Sequence, residues 1–238
     1  MKICATTLGE TAGDLLSMTM GIGYGVSSAV LLGAFLVVLV GQLVSGRFRP
    51  WLYWAVILAT STAGTTLSDF MDRTLGLGYA KGSLILVACL ITALTVWRLV
   101  EGSISVSHIA TRRAEVFYWV AILFSNTLGT ALGDFLADDS GLGFLGGAAL
   151  VGGAIAVVGL AAALTRIDRV VLFWSAFVLT RPFGATFGDL LTKTADKGGL
   201  GFGTIGSSII LGVVLAALIA LTGRAGRRDR RMGSSPAS

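Results

Sequence analysis

Gly64-Thr65-Thr66-Leu67-Ser68-Asp69 lies at the end of an apolar stretch, and its pattern of a glycine followed five residues later by an aspartate occurs four times in the chain. The other copies are Gly9-Glu10-Thr11-Ala12-Gly13-Asp14, Gly129-Thr130-Ala131-Leu132-Gly133-Asp134 and Gly184-Ala185-Thr186-Phe187-Gly188-Asp189. Seven and nine residues after the aspartate come two glycines: Gly21 and Gly23, Gly76 and Gly78, Gly141 and Gly143. In the fourth copy the spacing predicts Gly199 and Gly201, displaced by a three-residue insertion around Ala195-Asp196-Lys197. Ten residues before the motif glycine stands a tryptophan, Trp54, Trp119 or Trp174. In the first copy that position would fall before Met1, so the reading expects either a short first helix or a start further upstream. The motif glycines are 55, 65 and 55 residues apart, which makes the second half a repeat of the first at an offset of 120. Self-similarity of this kind defines a repeat architecture.

Each copy carries two apolar stretches. They run over about 1–16 and 24–43, then 51–71 and 79–100, 116–136 and 145–164, and 170–191 and 202–221. Most are long enough to span a bilayer as helices. Of the 238 residues 54% are hydrophobic and 13% charged, about half the charge of an ordinary soluble domain. That excludes a soluble globular or a disordered chain. Thirty-three glycines suit closely packed membrane helices. Cys4 and Cys89 sit in apolar stretches and support neither a disulfide framework nor a thiolate metal site. The predicted fold is an all-α integral membrane protein of about eight transmembrane helices. It is built as four tandem helix-hairpin repeats, with the two halves related by a pseudo-two-fold axis along the membrane normal. One membrane domain covers 1–223, with repeats at about 1–46, 50–100, 115–165 and 169–222 and an interhalf link at 101–114. A basic, disordered tail follows at 224–238.

Two helices per repeat bring all four motifs to one leaflet. The connections between repeats and the tail hold twelve arginines, among them Arg47, Arg98, Arg112, Arg166 and Arg228, whereas the turns within repeats hold only Arg73, Lys81, Lys193 and Lys197. The positive-inside rule then places both termini in the cytoplasm and the glycine turns outside. The net charge of +5 is mostly this arginine, so nucleic acid is not an expected partner. His108, the single histidine, falls in the interhalf link and reads as solvated. The link's alternating residues Ser103 to Ile109 are expected to lie along the cytoplasmic interface or to meet a partner.

With Trp54 as an interfacial anchor, Gly64 lies ~15 Å deeper, near mid-membrane, and Asp69 ~22 Å from the anchor. Ionisable residues at such depth are costly and mark functional sites. Glu10, Asp14, Asp69, Asp134 and Asp189 are therefore the candidate metal or cation ligands, in a cavity lined by Thr11, Thr65, Thr66, Thr130, Asn126 and Thr186. Carboxylate and hydroxyl oxygens suit hard cations and protons. The competing reading makes each aspartate a cap for the amides of its own glycine turn. The position three before the motif glycine is Thr6, Ser61, Asn126 or Arg181. Arg181 is the one basic residue deep in a span and requires a buried acid. Asp189 is two turns away, and Glu10, at a similar depth, is the predicted partner. Pro182 is expected to kink that helix and expose carbonyls.

Three stretches carry a family likeness: Thr6-Thr7-Leu8-Gly9-Glu10-Thr11; Thr111-Arg112-Arg113-Ala114-Glu115 followed by Phe117-Tyr118-Trp119; and Leu179-Thr180-Arg181-Pro182-Phe183-Gly184. Over essentially its whole length the chain resembles a bacterial family of uncharacterised membrane-anchored proteins with four tandem two-transmembrane-helix repeats. The resemblance implies that architecture and a bacterial inner-membrane setting; it implies no activity. From the residues, the expected function is a transporter or permease for a small cation, either a divalent metal or a proton-coupled solute. The alternative is a membrane sensor or assembly subunit whose Asp and Gly motifs are structural. No nucleophile stands beside a general base, so an enzyme is not expected. The expected partners are the lipid bilayer and a small cation, with a homo-oligomer left open. The cofactor is unknown, a divalent cation being the candidate.

Overall fold

The protein is described by a computed structural model covering residues 1–45, 49–106, 109 and 111–232, with side chains to Thr222. Eight α-helices account for the described residues, without a strand. They are α1 (Lys2–Asp14), α2 (Tyr24–Ser45), α3 (Pro50–Asp69), α4 (Tyr79–Glu101), α5 (Arg112–Asp134), α6 (Gly143–Leu164), α7 (Arg169–Thr192) and α8 (Thr204–Met232). Six are long and apolar enough to cross a membrane: α2, α4, α5, α6, α7 and α8. The exceptions are α1, with 13 residues, and α3, whose second half is a run of Thr, Ser, Ala and Gly.

Local sequence explains the boundaries. Pro50 opens α3, where its missing N–H leaves no intrahelical bond unmade. Thr111 caps α5 by accepting from the amide of Ala114 at 3.0 Å, and Asp168 caps α7 by accepting from Val170 at 2.6 Å. Gly102, at φ 75°, ends α4. In the first three repeats the inner helix does not stop at its aspartate. It widens into one π turn, 15–19, 70–74 or 135–139, marked by the i→i+5 bonds Met20 N–H to Leu15 O, Leu75 to Phe70 and Ser140 to Phe135. Two glycines at positive φ then reverse the chain into the outer helix. The fourth repeat replaces the π turn with a short 3₁₀ segment, Ala195–Lys197. Its reversing pair is Gly201 and Gly203, at φ 72° each, which corrects the expected Gly199 and Gly201. Gly199-Leu200-Gly201-Phe202 repeats the letters of Gly141-Leu142-Gly143-Phe144 two residues before the structural equivalent. Gly199 instead packs on the Lys193 backbone.

The packing is cyclic. Helices α1, α3, α5 and α7 form an inner ring, each touching the next, and α7 closes back on α1. The two helices of one hairpin hardly touch along their length. Each outer helix packs on the inner helix of the following repeat: α2 on α3, α4 on α5, α6 on α7, and α8 on α1. The motif glycines make the inner contacts close. Gly9 lies against Ser61, Gly64 against Asn126, Gly129 against Arg181 and Gly184 against Thr6, so each glycine meets the position three before the glycine of the next repeat. A side chain at any of these four sites would drive the ring apart.

At the end of the ring where the repeats are linked, aromatics fill the interior. Tyr53 and Tyr118 share a hydrogen bond of 2.9 Å, and Trp119 and Trp174 are both buried. The ammonium of Lys2 stands 3.3 Å above the Phe177 ring. Trp119 and Trp174 are thus core residues rather than lipid-facing anchors; their long apolar bodies cluster with Tyr118 and Trp97. Described residues of the interhalf link pack onto this layer: Trp174 Nε1 donates to Ile104 O at 3.2 Å, and Ile104, Val106 and Ile109 pack into the core. His108 lies outside the described residues. Helix α8 continues to Met232, beyond the expected end of the membrane domain at 223, while 233–238 lie outside the described residues.

Candidate functional site

The site occupies the ring interior between the aromatic layer and the glycine turns. Its deeper level is built on Arg181, which is completely buried. Its stem packs against Gly129, and its guanidinium reaches across the ring. Its Nη1 donates to Glu10 Oε2 at 2.9 Å and to Thr6 O at 3.1 Å. Its Nη2 donates to Ser61 O at 3.1 Å, to Thr130 Oγ1 at 2.8 Å and to Thr65 Oγ1. Glu10 Oε2 also accepts from the hydroxyls of Thr65 and Thr130, each at 3.2 Å. Glu10, Thr65 and Thr130 each follow their motif glycine; the fourth member of that layer is Ala185, small enough to leave room. One arginine therefore ties all four inner helices together. Helix α7 runs on through Pro182 to Thr192. Thr6 Oγ1 donates to Thr180 O at 3.1 Å, a further bond between α1 and α7.

One turn toward the glycine turns lies a ring of four aspartates, each at most 5% exposed. Two cations bridge them. Arg73 Nε pairs with Asp69 Oδ1 at 3.0 Å and its Nη2 with Asp134 Oδ2 at 3.3 Å. Lys193 Nζ pairs with Asp14 Oδ2 at 2.7 Å and with Asp189 Oδ1 at 3.1 Å. Both cations stand four residues after an aspartate, in repeats two and four, and each reaches the aspartate of the next repeat. This exchanges under the expected pseudo-two-fold, with Asp14 matching Asp134 and Asp69 matching Asp189. The two levels meet at Glu10, whose carboxylate oxygen lies within 4.8 Å of those of Asp134 and Asp189.

Arg73 and Lys193, read from the sequence as turn charges, thus belong to the site. The signal for them was the Asp-x-x-x-Arg and Asp-x-x-x-Lys spacing, which places each cation one helical turn from its acid. Of the expected lining residues, Thr65 and Thr130 reach the Arg181–Glu10 pair. The others are directed elsewhere. Thr11 bonds Leu8 O and the hydroxyl of Ser208, Thr66 bonds Ala63 O, Thr186 bonds Pro182 O, and Asn126 donates to Thr60 Oγ1 at 3.0 Å. The aspartates do not accept from the glycine turns. In the first two repeats those amides go to carbonyls of the π turn, Gly23 to Ser17 O and Gly78 to Asp72 O.

A ring of four helix pairs, apolar outside and charged within, defines a multi-pass membrane protein of internal repeats. The chain matches the family described as Repeat of Unknown Function (DUF347) four times, over residues 1–48, 52–103, 117–168 and 172–228, and belongs to that family. Neither a curated protein nor a solved structure matches it.

Proposed function

We propose that the protein is a transporter or permease for a small cation, divalent or proton-coupled, and that the ring interior is its binding site. The observation that carries this reading is the charge count at that centre. Five buried acids, Glu10, Asp14, Asp69, Asp134 and Asp189, face three cations, Arg73, Arg181 and Lys193. Two negative charges are left over among acids that are each at most 5% exposed. Uncompensated charge in a low-dielectric interior is costly, and a bound cation or protons would relieve it. Glu10, Asp134 and Asp189, mutually within 4.8 Å, are the first ligands. Carboxylate oxygens at that spacing suit a hard cation. The chain acts in this reading without covalent chemistry.

The same proposal places the protein in a bacterial inner membrane with both termini cytoplasmic and the glycine turns outside, on the arginine bias of the linking end. The aromatic layer and the Arg181 level then stand between site and cytoplasm, and the aspartate ring faces outward. The test is thermal unfolding in detergent with Mn²⁺, Mg²⁺, Ca²⁺ and Na⁺, on the native chain and on Asp134→Asn. A cation that binds the folded state raises the midpoint by mass action, and the response is expected to be lost in the variant. Uptake of the responding cation into proteoliposomes then separates transport from binding alone. If no cation shifts the midpoint, the carboxylates serve the fold and a sensor or assembly role takes the place of transport.

A further inference from the structure

The two cation bridges, equivalent in position, are unlike in surroundings. Arg73 is held on several sides: by Asp69, by Asp134, and by the rings of Tyr24 and Tyr79, whose centres lie 5.9 and 5.6 Å away. Tyr79 in turn donates to Asp138 Oδ2 at 3.3 Å, closing the seam between the second and third repeats. At the seam between the fourth and first repeats the ring of Tyr79 and the carboxylate of Asp138 have no equivalent. Thr204, which like Tyr79 follows the second reversing glycine, stands where a ring would be, and Met18 replaces Asp138. Thr204 and Thr19 share one hydroxyl contact of 2.7 Å. A shallow surface pocket of about 360 Å³ opens there, lined by Thr19, Thr192, Thr204, Phe202 and Ile205 among others. Thr192 precedes Lys193 in the chain, and Met18 Sδ lies 3.8 Å from the Lys193 ammonium. Exposure alone would favour the other seam, since the Arg73 side chain is 34% exposed and that of Lys193 22%. Retention decides against it. A guanidinium fork bonded to two carboxylates between two rings is hard to displace, whereas an ammonium is a point charge on a flexible stem.

We infer that the carboxylate ring is entered from the glycine-turn end along the seam between the fourth and first repeats, with Lys193 as the displaceable group and Thr204 setting the opening. The inference rests on the cation-site reading above. An incoming small cation displaces the Lys193 ammonium from Asp14 and Asp189 and passes inward to Glu10, Asp134 and Asp189, and the lysine swings into the pocket beside Thr204. Arg73 stays in place and keeps the opposite seam shut.

The experiment reads access rather than binding. In a chain with Cys4→Ala and Cys89→Ala, Ala185→Cys places a thiol in the layer of Glu10, Thr65 and Thr130. Its rate of modification by 2-aminoethyl methanethiosulfonate, a small ammonium reagent, is measured on folded protein in nanodiscs. Thr204→Tyr, which copies the closed seam, is expected to slow the reaction by more than about tenfold, or over ~1.4 kcal/mol of barrier. Lys193→Arg, a milder change, is expected to slow it as well. Tyr79→Thr leaves it within about twofold. The inference is overturned if the thiol in the parent does not react, if neither Thr204→Tyr nor Lys193→Arg slows it, or if Tyr79→Thr alone accelerates it. A cation-induced midpoint shift that persists alongside any of these results leaves the cation site standing without this entrance. Thiol rates that follow expectation without such a shift leave the entrance standing without the cation.

Discussion

Replacing Arg181 with methionine removes a side chain that reaches from α7 to the three other inner helices. Methionine has a similar reach, so little volume is lost, and the effect is electrostatic. The Glu10 carboxylate keeps the hydroxyls of Thr65 and Thr130 at 3.2 Å but loses its only cation in direct contact. Breaking a buried pair from one side costs ~3–5 kcal/mol. For a chain of this size that lowers the unfolding midpoint by roughly 6–20 °C. Glu10→Gln alone strands the guanidinium instead and is expected to cost as much. The double variant removes both charges. The amide that replaces the carboxylate is neutral, and the carbonyls of Thr6 and Ser61 lie within helices, so the double variant should recover most of the loss. The coupling between the two changes should be at least ~2 kcal/mol. The assay is thermal unfolding of the four proteins of the cycle in one detergent. Additive losses would mean that the Arg181–Glu10 contact is incidental and that the arginine acts through its bonds to Thr65, Thr130 and the two carbonyls.

Other outcomes follow from the same geometry. Gly64→Ala puts a Cβ 3.0 Å from the backbone of Asn126 and Thr127 and should cost ~1–3 kcal/mol by thermal unfolding. Gly41→Ala, on the open face of α2, should cost nothing. Thr111→Ala removes the cap of α5 and should cost about 1 kcal/mol, read as a lower midpoint. In cells, cysteines at Ile167 and Thr111 should be closed to an impermeant thiol reagent added outside, and cysteines at Ser140 and Lys197 open to it; the reverse pattern would invert the proposed orientation.

The repeat and the eight helices were legible because both are written in one dimension. Spacing fixes the copies, and apolar length fixes the helices. The Arg181–Glu10 pair was legible for a further reason. Depth along a helix can be counted from sequence, and a lone buried cation demands an acid at the same depth. What depth cannot supply is azimuth, and the differences lie there. Thr11, Thr66 and Thr186 share the level of the site but sit on other faces of their helices, so their hydroxyls turn to backbone carbonyls or, for Thr11, to α8. Trp119 and Trp174, which repeat the position of Trp54, are buried against Tyr53, Tyr118 and Trp97. The packing of each outer helix on the next repeat was equally hidden. A hairpin's connection says that two helices are neighbours in sequence, and nothing in it says that they lean apart.

The ring also explains why its copies had to diverge. Between neighbouring helices of the ring the four repeats can be alike: the contacts of Gly9, Gly64, Gly129 and Gly184 each use one surface once. Nearer the axis the copies meet one another. Four aspartates there repel, and a cation long enough to reach two of them is needed at every second repeat, which is the pattern of Arg73 and Lys193. At the axis itself there is room for one arginine, since four would meet as like charges in low dielectric. The other three repeats carry Thr6, Ser61 and Asn126 at that position, and the first supplies the extra acid, Glu10. Packing is thus shared by four copies, ion pairing by two, and the central pair belongs to one. Exchanging Arg181 with Asn126 between the third and fourth repeats tests this order. Gly64 now faces the position that would receive the arginine. If position alone matters, the exchanged chain should fold with its arginine still beside Glu10. Loss of folding in the exchanged chain would show that Gly129 and Ala185, and not the axis, select the repeat that carries the charge.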